Sequence, residues 1–163
     1  MIGILGPRGR LGFTLVQMGG IPLDCDITDQ AALERQLWEL DEVDTIINCA
    51  AYTDVDGAET DVGYSKASKV NGLGPGRLKL ICARLNLRLI HISTDYVFSG
   101  TSGPYTEKNL PRDPVNSYGF TKFAGDYAIR TFHDKSDIIV RTTGLYGSPK
   151  HDFLSLVHKT LGS

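Results

Sequence analysis

A phenol and an ammonium four positions apart, Tyr118 and Lys122, follow the string Ser93-Thr94-Asp95-Tyr96 that closes an apolar run. On a helix, residues at that spacing share one face. An ammonium beside a phenol favours the phenolate, so the spacing predicts a lowered tyrosine pKa and proton exchange near neutral pH. With a hydroxyl from Thr94 to hold an oxygen, the three groups suit proton delivery to a carbonyl. Many helices carry a Tyr-x-x-x-Lys pair by chance; beside a glycine-rich N-terminus it acquires meaning.

That N-terminus is Gly6-Pro7-Arg8-Gly9-Arg10-Leu11-Gly12, placed between an apolar run at Ile2 to Leu5 and a helical pattern from Arg10 to about Met18. Glycines let the backbone turn sharply and approach a pyrophosphate, which the following helix N-terminus attracts. Arg8 and Arg10 could add charge-assisted contacts. A glycine turn without a ligand is the alternative reading. Asp24 and Asp26 stand near the spacing of a ribose-binding acid, or act only as turn or cap residues. Asn48-Cys49-Ala50-Ala51 ends another apolar run with small side chains, suited either to a flat cofactor or to tight packing.

The elements that must position these groups follow from periodicity. Asp29 is expected to cap a helix over Gln30 to Leu40, with Trp38 covering the sheet. A buried strand is expected through Thr45-Ile46-Ile47 to Asn48, and a long helix over Ser65 to Leu85 that Pro75 kinks or restarts. A strand over Leu87 to Ile92, a helix over Asn116 to Thr131 and a strand over Asp137 to Thr142 complete the pattern. Continuously apolar strands alternating with helices predict an α/β fold, a Rossmann-like doubly wound parallel sheet with helices on both faces. Ser99 to Pro114, rich in Gly, Ser, Thr and Pro, reads as a surface loop that includes Tyr105 and Glu107.

The bulk numbers narrow the function. The chain has 163 residues, enough for one domain, and a net charge of -2 that gives no case for nucleic acid or an anionic membrane. Cys25, Cys49 and Cys82 form no C-x-x-C pair and suit a reducing cytoplasm, as small buried side chains in strands or a helix. No signal peptide or membrane span is read at the N-terminus. His91 is expected to be packed or hydrogen-bonded, and His133, His151 and His158 lack ligand spacing, so no metal site is expected. Asp54, Asp56, Glu59 and Asp61 read as a solvated loop or helix start.

Taken in order, the glycine turn, Asp26-Ile27-Thr28-Asp29, Asn48-Cys49-Ala50-Ala51-Tyr52-Thr53, Val70-Asn71, Ser93-Thr94-Asp95-Tyr96-Val97-Phe98, the Tyr118/Lys122 pair and Arg141-Thr142 resemble the dTDP-4-dehydrorhamnose reductase family. That family is part of the extended short-chain dehydrogenase/reductase superfamily. The resemblance implies that Thr94, Tyr118 and Lys122 form a catalytic triad, with hydride from NADPH or NADH and the proton from Tyr118. It implies that Gly6, Gly9, Arg10, Leu11 and Gly12 cradle the pyrophosphate, and that Asp26 and Ile27 meet the adenine end. Ala50, Ala51, Tyr52 and Asn71 would meet the middle of the cofactor, and Lys122 its nicotinamide ribose. Thr94, Asp95 and Tyr118 would face a 4-keto-6-deoxy nucleotide-sugar bound for surface polysaccharide.

The segment between Gly12 and Asp26 is shorter than the family pattern, leaving NADH against NADPH open. Arg141-Thr142-Thr143-Gly144 stands where the family often has Arg-Thr-Ser-Trp, leaving the sugar open. The chain is expected to be the family's dinucleotide-binding domain without most of its substrate-closing C-terminal region. It would depend on that region or on self-association as a homo-oligomer. Two other readings share the same residues: a nucleotide-sugar epimerase or dehydratase, and a non-catalytic binding subunit such as the regulatory subunit of methionine adenosyltransferase.

Overall fold

In the computed structural model, residues 1–111, 113–132 and 136–146 are described. Five strands, β1 (Ile2–Leu5), β2 (Ile21–Leu23), β3 (Thr45–Asn48), β4 (Arg88–Thr94) and β5 (Ile138–Thr142), form one sheet in the order β2-β1-β3-β4-β5. Every pairing is parallel. Helices α1 (Arg10–Gln17), α2 (Gln30–Trp38), α3 (Asp61–Ala67), α4 (Gly74–Arg84) and α5 (Ser117–Thr131) connect the strands. The chain moves outward from β1 to β2 and then returns to β3 on the other side of β1. The strand order therefore reverses between β1 and β3, and a crevice opens there at the carboxyl ends of the strands.

Local chemistry accounts for the helix starts. Asp29 accepts from the Ala32 N–H at 3.0 Å and caps α2, as its position in the sequence suggested. Asn116 accepts from the Gly119 N–H at 2.8 Å, so it caps α5 instead of forming its first turn. Thr60 caps α3. The expected long helix is one helical path from Asp61 to Arg84 with a widened, π-type stretch over Ser68–Leu73. The wide stretch ends just before Pro75, which sits in the first turn of α4, where its missing N–H costs least.

The core lies between the sheet and its helices, with Leu5, Leu23, Ile46 and Leu89 from the strands meeting Leu33, Leu78, Ile81 and Ile129. Trp38 is not part of it: as the last residue of α2 it turns about 100° from Leu37 and is 73% exposed. Cys82 is buried in α4, but Cys25 and Cys49 are half-buried and follow β2 and β3 instead of lying within them. Tyr105 is not on a bare loop, because its ring stacks on Phe98 at 4.3 Å. No described helix is long and apolar enough to cross a membrane, and no group of three or more potential metal ligands occurs among the described residues. His133, His151 and His158 lie outside the described residues.

Candidate active site

The crevice is a cleft of about 630 Å³. Gly9, Arg10 and Leu11 from the glycine turn, Ala51 from the loop after β3, and Thr94, Tyr118 and Lys122 all line it. Seven of the expected site residues, far apart in sequence, therefore share one space. The glycine turn works as the sequence suggested. Gly6 has φ +78°, and a Cβ there would stand 2.6 Å from the Ala50 nitrogen, so β1 and the loop after β3 meet through it. A Cβ at Gly12 would collide with the Gly6 carbonyl. Gly9 precedes α1 with no side-chain cap, which leaves the start of this helix to a ligand's oxygens or to solvent.

Thr94 ends β4. Its hydroxyl donates to Asp95 at 3.1 Å and accepts from the Tyr96 N–H at 3.3 Å. Tyr118 lies in the first turn of α5 with its ring edge-on to Tyr96. The lowered phenol pKa expected from the Tyr-x-x-x-Lys spacing is not found. Burial, then the charge of Asp95, then Tyr96 push the Tyr118 phenol up, and Thr94 offsets this only in part. The reason is where the ammonium goes: Lys122 is 1% exposed, donates to the Ile92 carbonyl at 2.7 Å and lies 3.4 Å from His91 Nε2. Burial brings the Lys122 pKa down to about 8, against smaller opposing effects of Asp126 and Cys49.

His91 is packed and hydrogen-bonded, as expected. Its Nδ1 lies 3.0 Å from Asn48 Nδ2, and burial, then Lys122, push its pKa well below the ordinary value. Ser93 also borders the cleft, and its buried hydroxyl oxygen has no hydrogen-bond partner among the described residues. A buried hydroxyl left so is costly unless a ligand completes it.

Several expected contacts lie elsewhere. Asn71 is buried behind the cleft, where its amide accepts from the Tyr52 N–H at 2.9 Å and donates to the Tyr52 carbonyl at 3.0 Å and Thr121 Oγ1 at 3.1 Å. It braces the loop after β3 against α5 and lines no part of the cleft. Ala50 and Tyr52 belong to that braced loop. The Ile27 side chain is committed to the core at 2% exposure. Asp26 Oδ1 accepts from both the Thr28 N–H and its hydroxyl at 2.8 Å, the turn role left open by the sequence. Asp24 pairs with Arg8 at 2.6 Å, and Arg10 donates to the Leu145 carbonyl at 2.6 Å. Asp95 touches Thr94 beside the cleft. Glu59, read as a solvated acid, accepts from the Ser117 N–H and hydroxyl at the start of α5.

Thr142 at the end of β5, Thr143, Gly144 and Leu145 after it, and Cys49 and Thr53 after β3 also border the cleft and were not expected there from the sequence. The available signal was topological: in an open parallel sheet the residues following each central strand face the ligand crevice. The donor set fits a dinucleotide: an uncapped helix N-terminus behind glycines, a floor of small side chains and an unpartnered buried hydroxyl.

Comparison with known proteins was made against this geometry. The family model described as RmlD substrate binding domain matches residues 2–163. A dTDP-4-keto-6-deoxy-D-glucose reductase of Streptomyces niveus is 42% identical over 132 residues, covering 80% of this chain and 44% of its own. A dTDP-4-dehydrorhamnose reductase of Mycobacterium tuberculosis is 42% identical over 140 residues, covering 82% and 44%. The crystal structure of the Bacillus anthracis dTDP-4-dehydrorhamnose reductase in complex with NADP superposes with a TM-score of 0.88 at 32% identity, covering 98% of this chain and 59% of that one. The chain thus spans less than half the length of the two curated relatives.

Proposed function

Because the chain belongs to the RmlD substrate binding domain family, we propose that it holds the cofactor and donates the proton in a nucleotide-sugar reductase. The reaction would be reduction of the ketone of a 4-keto-6-deoxy sugar nucleotide, of the dTDP-4-dehydrorhamnose type, in a cytoplasmic route to polysaccharide. The remaining family length would close over the sugar. The observation that carries this reading is that Thr94, Tyr118 and Lys122 line the same cleft as the glycine turn.

NADPH or NADH, when bound, supplies the hydride. Gly9, Arg10 and Leu11 would hold the pyrophosphate at the start of α1, and Ala51 would lie under the middle of the dinucleotide. Lys122 would reach the nicotinamide ribose from beneath. Thr94 Oγ1 would hold the substrate's carbonyl oxygen as negative charge grows on it. Tyr118 would give that oxygen its phenolic proton. Its raised pKa suits this direction, because the phenol stays protonated and ready to donate at neutral pH.

Titration of the chain with NADPH and NADH, followed by nicotinamide fluorescence, tests the binding half of the proposal. Saturable binding that weakens at least about tenfold in Gly9→Leu supports it, a loss of roughly 1.4 kcal/mol. A wild-type chain that is folded and binds neither nucleotide overturns it.

A further inference from the structure

We propose that Asp126 is the positioning residue for Lys122: clamped on one oxygen by Arg141, with the other beside His91, it lies one helical turn from the lysine and keeps it an ammonium at the cleft. The inference rests on the reading of Lys122 as part of the reductase site. Asp126 lies one helical turn after Lys122 on α5, on the same face, and is 1% exposed. Arg141, on β5, donates to Asp126 Oδ2 from Nε at 3.1 Å and from Nη2 at 3.0 Å. Oδ1 is buried with no hydrogen-bond partner among the described residues and stands 4.0 Å from His91 Nε2. A carboxylate oxygen stranded in the interior is costly to keep, and here the carboxylate's charge acts on Lys122 against the effect of burial.

The histidine cannot serve in its stead. Asn48 Oδ1 accepts from the Ala50 N–H at 3.0 Å, so Nδ2 is the atom that faces His91 and donates to Nδ1. A neutral ring that accepts at Nδ1 carries its proton on Nε2, which faces Lys122 and Asp126. His91 therefore cannot accept a hydrogen bond from the ammonium, and the Ile92 carbonyl is the lysine's direct acceptor.

The other titratable groups around Lys122 carry no negative charge near neutral pH. Cys49, at the end of β3, is pushed up to about 11 by burial. Tyr118, from α5, has its phenol raised, and the charge of Asp95 acts on Tyr118. His91, from β4, is held neutral, and Arg141, from β5, is a cation spent on Asp126. Among the described residues Asp126 is thus the anion that faces the lysine, and its charge opposes the effect of burial there. With the carboxylate gone, burial would act on the amine unopposed and it would shed its proton at lower pH.

The test is a pH titration by NMR of the chain labelled with ¹³C at the lysine ε carbons, the Lys122 signal being identified by its absence in Lys122→Arg. Asp126→Asn is expected to lower the Lys122 midpoint by at least about one pH unit, a tenfold change in proton affinity, and Asp126→Glu to recover most of it. In the wild type the ¹³Cγ signal of Asp126 is expected to move with the same midpoint as Lys122. An unchanged Lys122 midpoint in a folded Asp126→Asn chain overturns the proposal. So does a flat Asp126 signal across the Lys122 titration, a measurement that needs no variant to fold. Neither uses nucleotide or sugar, so failure of the chain to bind NADPH would count against the reductase reading and leave this result standing.

Discussion

Replacing Asn71 by alanine removes three hydrogen bonds that tie the loop after β3 to α5. The Tyr52 N–H and carbonyl lose their partner together, and Thr121 Oγ1 keeps only its own donation to the Tyr118 carbonyl at 2.8 Å. Each lost bond costs about 1 kcal/mol net, and a polar group stranded away from water costs about 1–3 kcal/mol. Tyr52 is only half-buried, so water can reach part of it, and the total expected is about 2–4 kcal/mol. Urea unfolding of wild type and Asn71→Ala is the assay, with a lowered midpoint and an unchanged slope as the expected signature. A double-mutant cycle with Thr121→Val isolates the side-chain pair, for which a coupling of about 0.5–1 kcal/mol is expected. A loss below about 0.5 kcal/mol in the single variant would refute the bracing role, since the loop would then hold its place without Asn71.

Other perturbations probe other parts of the fold. Lys79 and Asp137 form a buried pair at 2.6 Å, and Asp137 also accepts from the Leu89 N–H. Asp137→Ala should cost about 3–5 kcal/mol in chemical denaturation and Lys79→Met with Asp137→Leu should recover most of it; equal losses would contradict the pairing. The Lys122 pKa, about 8 when folded against an ordinary 10.5, makes stability depend on pH. Between those values the unfolded chain binds the proton and the folded chain does not, so stability should rise with pH across that window. Relative to Lys122→Met the gain should be on the order of 3 kcal/mol, and a difference flat with pH would argue against a buried lysine. His91 is held neutral, so below pH about 6.5 the unfolded chain takes up a proton that the folded one refuses. Wild type should lose stability with acid more steeply than His91→Gln, as thermal melts across that range would show.

The parallel sheet and the glycine turn were legible because both depend on local pattern: apolar runs such as Ile46-Ile47 have to be buried, and Gly6 stands where only glycine fits. The sharing of one cleft by Thr94 and Tyr118 was legible because each follows or opens an element at the strands' carboxyl end. What could not be read was the direction of the charges. Spacing places Lys122 beside Tyr118 on a helix face, yet the Ile92 carbonyl draws its ammonium inward, a contact set by how α5 packs on β4. Asn71 and Glu59 looked like site and solvent residues, and their roles as braces depend on partners 19 to 58 positions away. Trp38 is hydrophobic enough to suggest a sheet cover, but its angle from Leu37 at the end of α2 leaves it exposed.

In the proposed reaction Tyr118 protonates a sugar ketone while a nicotinamide cofactor reduces it. NADPH oxidation with a dTDP-4-keto-6-deoxy sugar, followed by loss of nicotinamide absorbance in the protein carrying its full family length, tests it most directly. Turnover to a 4-hydroxy product is expected, falling about 10²–10⁴-fold in Tyr118→Phe with nucleotide binding retained. Turnover unchanged in Tyr118→Phe would contradict it, as would nucleotide binding with no ketone reduction by the wild type.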